Sequence, residues 1–231
     1  MNRKTNLMQN HSENTKRIAK NTIVLYIRML FLMLIGLYTS RVILNALGVE
    51  NYGIYNAVGG IVVMFSLLSS SMSSAISRYL TYELGTGNIE RLRIVYSSAL
   101  IIQILLALII VVLSEPIGLW FLNNKMNIPP GRMYASNWVL QFSIVSFVLG
   151  LINVPFNATI IAHEKMSFFA YVSIFEGVFK LVVAYLVNIS PVDKLIFYSF
   201  LMCVISLVMR VIYGWYCSRN FEECKFRFNL D

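Results

Sequence analysis

The 231-residue chain is 58% hydrophobic and only 13% charged, with a mean hydropathy of +0.68. A soluble domain is nearer half apolar and a quarter charged, so this composition excludes a water-soluble enzyme or binding module. The formal net charge of +8 needs no nucleic-acid partner, because it follows from where a membrane protein keeps its Lys and Arg residues. Anionic membrane lipids are the partners that such a charge favours.

Residues 1–21 are polar and read as a flexible or interfacial cytoplasmic lead. Six apolar runs follow, at about Thr22–Leu47, Tyr52–Tyr79, Val95–Leu113, Ala135–Ile161, Ser167–Val187 and Leu195–Tyr216. Runs of about 20 residues match a hydrocarbon slab of about 30 Å. Isolated strands cannot satisfy their backbone groups in lipid, so the runs are expected to be helices. The expected fold is therefore an all-α integral membrane protein, with six transmembrane helices over residues 22–216. The first run is too long for a cleavable signal peptide and reads as a signal-anchor. The second and fourth are long enough to require tilt, kinks or interfacial ends.

The short loop near Gly48–Asn51 predicts a tight helical hairpin. Gly85 and Gly87 are expected to end the second helix, and Asn88 to cap the third. Pro116 marks the exit of the third run, after which Ile117, Leu119, Trp120, Phe121 and Leu122 suit a helix lying in the outer interface. Pro129 and Pro130 break the chain before the fourth run. Pro155 predicts a kink or break inside it, with Asn153 and Asn157 placed to re-satisfy the freed carbonyls. Pro191 turns the last outer loop, and residues 217–231 form a cytoplasmic tail or a linker to a second lobe.

Orientation follows from the basic residues. Eleven lie on one side: Arg3, Lys4, Lys16, Arg17 and Lys20, then Arg91, Arg93 and Lys165, and finally Arg219, Lys225 and Arg227. The opposite loops hold only Lys125, Arg132 and Lys194, so both termini are expected in the cytoplasm.

Five basic residues fall inside the apolar runs: Arg28, Arg41, Arg78, Lys180 and Arg210. An ionised side chain in hydrocarbon is costly and most often lines a polar pathway. Arg28 lies eight residues past Lys20, about 12 Å into the bilayer at about 1.5 Å per residue, which favours a cavity-facing role. Arg41 and Arg78 lie near helix ends, where snorkelling to headgroups competes with function. Arg210 is expected to snorkel. Glu176 and Lys180 are four apart with the acid first, the favourable order for a helical ion pair, either structural or linked to substrate or protons. The membrane segments otherwise lack acids. The serine-rich stretch Ser66–Ser77 reads as a close-packing seam, or as one wall of a hydrated cavity.

Cys203, Cys217 and Cys224 show no metal-ligand spacing, and His11 and His163 lack partners of a catalytic kind. With no P-loop, dinucleotide fingerprint or metal cluster, the chain is expected not to be an enzyme and to need no cofactor or metal.

One stretch carries a resemblance: Ser40-Arg41-Val-Ile-Leu-Asn-Ala-Leu-Gly48-Val-Glu-Asn-Tyr52-Gly53-Ile-Tyr-Asn, followed by Gly59-Gly60, Ser77-Arg78-Tyr79-Leu80 and Glu83-Leu84-Gly85. With Pro155-Phe-Asn157-Ala-Thr-Ile-Ile-Ala162-His-Glu164-Lys165, it resembles the O-antigen-type polysaccharide flippases of the multidrug/oligosaccharidyl-lipid/polysaccharide (MOP) exporter superfamily. The resemblance runs over roughly residues 18–216. It implies a bacterial inner-membrane, multi-pass transporter that moves an undecaprenyl-diphosphate-linked oligosaccharide by alternating access. It also implies cavity cations that meet the diphosphate, for which Arg28, Arg41 and Arg78 are candidates, with Lys180 second. The chain then corresponds to one six-helix lobe of a two-lobe transporter, and its partner is a second lobe or a second copy. The alternatives are a cation-coupled multidrug exporter of the same superfamily, for which Glu176 is the available acid, and a non-transporting scaffold or inactive fragment.

Overall fold

The computed structural model describes residues 2–224, and the expected linker beyond Cys224, with Lys225 and Arg227, lies outside the described residues. Among the described residues it is all-helical. The helices are α1 (Asn2–Val63), α2 (Ser66–Thr86), α3 (Ile89–Asn124), α4 (Met133–Ala162), α5 (Met166–Ile189) and α6 (Lys194–Asn220), with short 3₁₀ turns at Pro130–Arg132 and Glu222–Cys224. Among the described residues, five stretches are long and apolar enough to cross a membrane: Thr22–Val63, Ile89–Asn124, Met133–Ala162, Met166–Ile189 and Lys194–Asn220. The protein is a multi-pass membrane protein. The polar lead, expected to be flexible or interfacial, is helical from Asn2 onward.

Helix α1 is two helices joined at Gly48, whose φ of 78° and ψ of 164° belong to a region open essentially to glycine alone. Packing shows that the chain reverses there. Before Gly48, Arg28, Leu32 and Tyr38 meet Phe169, Gly177 and Tyr185 in turn, so residues up to 47 run parallel to α5. After it, Tyr55 packs edge-on against Tyr198 with ring centroids 4.7 Å apart, while Gly59 and Val62 share a cavity wall with Met202 and Ser206, so residues 49–63 run parallel to α6. The expected hairpin is thus built on a single residue.

Three sequence expectations are corrected. The run Tyr52–Tyr79 is not one helix: the chain breaks at Met64 and Phe65, and α2 starts at Ser66 without a side-chain cap. The region after Pro116 is no separate interfacial helix, because α3 continues through it to Asn124. Tertiary packing holds those last turns. Leu122 is fully buried, and Gly118 lets Leu140 approach so closely that a Cβ there would lie 2.8 Å from it. Of the kink or break expected at Pro155, the break is absent: helix α4 continues through it, and the Pro155 carbonyl accepts from the Thr159 hydroxyl at 2.9 Å. The expected helix ends at Gly87 and Asn88 are present. Gly87 adopts φ 72° and donates to the Leu84 carbonyl, and Asn88 accepts from the Arg91 amide at 3.0 Å.

The apolar core has two main clusters, the larger of which runs most of the length of the bundle. At one end Leu80, Tyr96, Phe156 and Ile160 pack with Cys217, Phe221 and Cys224. At the other, Val58, Leu122, Val139, Leu140 and Leu195 form a second cluster. The segment after α6 docks on the first of these ends. His163 stacks on Phe221 at 4.1 Å and contacts the Glu223 carboxylate at 2.5 Å, so this histidine has a structural partner. Burial pushes the Glu223 carboxyl up, but the hydrogen bond from His163, the backbone amide and the nearby charges of His163 and Arg93 outweigh it and hold it below its ordinary value.

Candidate polar cleft between the first and fifth helices

The seam between α1 and α5 contains small residues where the helices meet: Gly36, Ser40, Ser173 and Gly177. A Cβ at Gly177 would lie 2.8 Å from Leu32 Cδ2, so the glycine permits a close approach. Beside that contact the seam opens. A cleft of about 390 Å³ is lined by Arg28, Thr39, Ser40, Ser173, Glu176 and Lys180. A second chamber of about 260 Å³ lies toward the end of the bundle that carries the α4–α5 loop, and its polar wall includes Arg28, Asn153, Asn157, Ser173, Glu176 and Tyr213. Arg28 and Glu176 line both spaces, so they stand at their junction. A third space of about 260 Å³, between residues 55–63, α4 and α6, is reached by Lys180 and lined by Ser143, Ser146, Ser199 and Ser206.

The charges are arranged to leave one excess positive charge. The Lys180 ammonium meets the Glu176 carboxylate at 2.6 Å, one helical turn away. The Arg28 guanidinium lies over the Phe169 ring, 4.3 Å from its centroid, and its buried Nε has no hydrogen-bond partner. A guanidinium so placed is fixed in direction and retains unused N–H donors, which is the requirement for gripping an anion.

The fold therefore brings Arg28, Glu176 and Lys180 together. It does not bring Arg41 or Arg78 to them: both side chains are exposed, and neither lines any of these three spaces. Ser70, Ser71 and Ser74 of the serine-rich stretch are also exposed, and that stretch walls none of the three spaces. Arg210, expected to snorkel, extends toward Gly214, one turn nearer the end of α6. Its guanidinium packs 4.2 Å from the centre of the Phe156 ring, across from Gly214. Extension of α3 past Pro116 also brings a further acid into a long apolar helix: Glu115, which accepts from Gln141 Nε2 at 3.1 Å. The cavity-lining residues that sequence reasoning placed elsewhere are Asn153 and Asn157. Neither side chain hydrogen-bonds to the backbone around Pro155; both line the second chamber, and their buried carboxamide oxygens have no hydrogen-bond partner. Their spacing of four on an apolar helix was the available signal.

A family model described as polysaccharide biosynthesis protein matches residues 18–231. No curated protein and no solved structure matches the chain.

Proposed function

Because the chain belongs to the polysaccharide biosynthesis protein family, we propose that it forms a lobe of a flippase for a lipid-diphosphate-linked oligosaccharide in the bacterial inner membrane. The observation that carries this reading is the cleft in which Arg28 and Lys180 outnumber Glu176 inside otherwise apolar helices. A diphosphate that crosses a low-dielectric slab needs fixed positive charge, and the cost of holding that charge is justified only where an anion uses it. Arg28 grips phosphate oxygens through its free N–H groups. Lys180 turns from Glu176 toward the same anion, while the polyprenyl tail stays in lipid.

The topology suits this role. With the reversal at Gly48, residues 49–63 and α2 together make the second of six crossings, and both termini then face the cytoplasm, as the distribution of Lys and Arg favours. The unit over residues 22–216 acts with a second lobe or a second copy, since alternating access needs two bodies that rock about a shared site. Arg41 and Arg78, exposed on this lobe, are available to a cavity shared with that partner.

The test is translocation of a fluorescent polyprenyl-diphosphate oligosaccharide in proteoliposomes holding the complete transporter. Arg28→Ala lowers the rate by about tenfold or more, the value of one charge-assisted hydrogen bond. An undiminished rate in Arg28→Ala and Lys180→Ala alike refutes the assignment.

A further inference from the structure

We infer that Gln103 is the latch of a hinge in α4: when that helix opens at Pro155, the Gln103 carboxamide inserts into the opened turn. Gln103 is fully buried in α3, and neither its Nε2 nor its Oε1 has a hydrogen-bond partner among the described residues. A buried donor and acceptor left unpaired both oppose the state that contains them, so a second state that pairs them is favoured by that much. Ala99 and Ala107, one turn away on either side, are buried on the same face and present only methyl groups beside the carboxamide.

The matching groups lie on the facing helix. Tyr96 meets Phe156 edge-on with ring centroids 5.9 Å apart, while Ala107 and Ile110 pack with Leu151. Gln103 falls between those two contacts, level with the turn from Leu151 to Phe156, and Pro155 stands in that turn. Proline has no N–H, so the Leu151 carbonyl lacks the donor four residues on, and the ring crowds it. The Thr159 hydroxyl bonds back to the Pro155 carbonyl at 2.9 Å, a contact that loosens and bends helices. Sharp kinks form at a proline or where a side chain enters the helical ladder, and here both conditions meet. A carboxamide suits the opened turn. Its two N–H groups serve the Leu151 and Ile152 carbonyls, and its oxygen takes the Phe156 N–H.

The hinge divides the wall of the second chamber, since Gly150 and Asn153 lie before it and Asn157 beyond it. The outer part of α4 is held by Leu140 on Gly118, and the helix ends at His163, which stacks on Phe221. Bending therefore swings the inner turns, with the segment that His163 holds, against a stationary outer half. The chamber changes shape while the helices stay packed.

The experiment is hydrogen–deuterium exchange of the full chain in phosphatidylcholine nanodiscs, read by mass spectrometry at residues 156–159, whose helical bonds loosen when α4 opens. Gln103→Leu removes the partner of the open state and slows exchange there about tenfold, the worth of one buried hydrogen bond, while exchange in α6 stays as it was. Gln103→Met keeps the length of the side chain and gives the same slowing, which separates the latch from any repacking by leucine. Pro155→Ala closes the turn and slows exchange at least as much, and Gln103→Leu added to it changes nothing further. Exchange that is unchanged or faster in both Gln103 variants overturns the inference, because the carboxamide then plays no part in opening or holds the closed helix through a water. A tenfold slowing that persists when Gln103→Leu is added to Pro155→Ala places the effect outside the hinge and overturns it as well. So does full protection of residues 156–159 in the unaltered protein.

Discussion

The α3–α4 seam and the α1–α5 seam use the same device to different ends. In each, a glycine receives a leucine from the facing helix: Gly118 takes Leu140, and Gly177 takes Leu32, with a virtual Cβ 2.8 Å from the leucine in both. Around Gly118 the seam is filled, since Leu140 and Leu122 are fully buried. Around Gly177 it is left open and polar, with Arg28, Glu176 and Lys180 in its walls. Close packing at one point thus sets the distance between two helices without deciding what fills the space beside it. The flanking side chains decide that, apolar in one seam and charged in the other.

The comparison can be broken most directly at the charges. Glu176→Gln removes the resident partner of Lys180 at 2.6 Å, so affinity for a lipid diphosphate rises, by about tenfold for a partly exposed pair. Titration with polyprenyl diphosphate in nanodiscs checks this. A loss of drug efflux with no gain in lipid affinity would instead support the cation-coupled exporter, in which Glu176 is the essential acid.

A smaller effect separates the two glycines. Gly118→Ala drives a methyl into Leu140, which is fully buried and has nowhere to move, and costs about 1–3 kcal/mol. Gly177→Ala meets only the tip of Leu32, a half-buried side chain that borders the cleft and turns into it, so the cost stays below about 1 kcal/mol. Thermal unfolding in detergent measures both, and equal losses would show the α1–α5 seam to be as tightly filled as its counterpart.

The smallest effect lies outside both seams, at the clasp beneath the bundle. Glu223 is held below its ordinary carboxylate value in the folded protein, so its contribution is present above the unfolded value and is lost as pH falls through the lower folded one. Stability measured from neutral pH down through the carboxylate range therefore declines in the native chain, and Glu223→Gln flattens that part of the curve. A parallel decline in the variant would assign the pH dependence to other groups.

Much of the fold was legible because it is local. Apolar runs longer than a bilayer is thick leave the backbone no choice but helix. The φ of 72° at Gly87 and the Asn88 cap follow from the chemistry of those residues alone. Glu176 and Lys180 meet because four residues is one helical turn. Proline misled at Pro116, and at Pro155 as far as a break was expected. Pro116 and Pro155 remove one backbone donor each, but Leu140 packed on Gly118 and the Thr159 hydroxyl on the Pro155 carbonyl supply contacts from outside that arithmetic.

The sequence by itself determined the class of protein, the all-helical fold and the place of the reversal near Gly48–Asn51. Spacing along one helix sets which residues share its face, and composition sets which solvent that face tolerates. Only the tertiary structure decided that Arg28 joins Glu176 and Lys180 while Arg41 and Arg78 stay outside, that Arg210 packs on Phe156, and that Asn153 and Asn157 border a cavity. The reason is physical: the worth of a charge or a carboxamide in a membrane depends on what the neighbouring helix presents to it, and that neighbour is remote along the chain, as Glu176 is from Arg28 and Phe156 from Arg210.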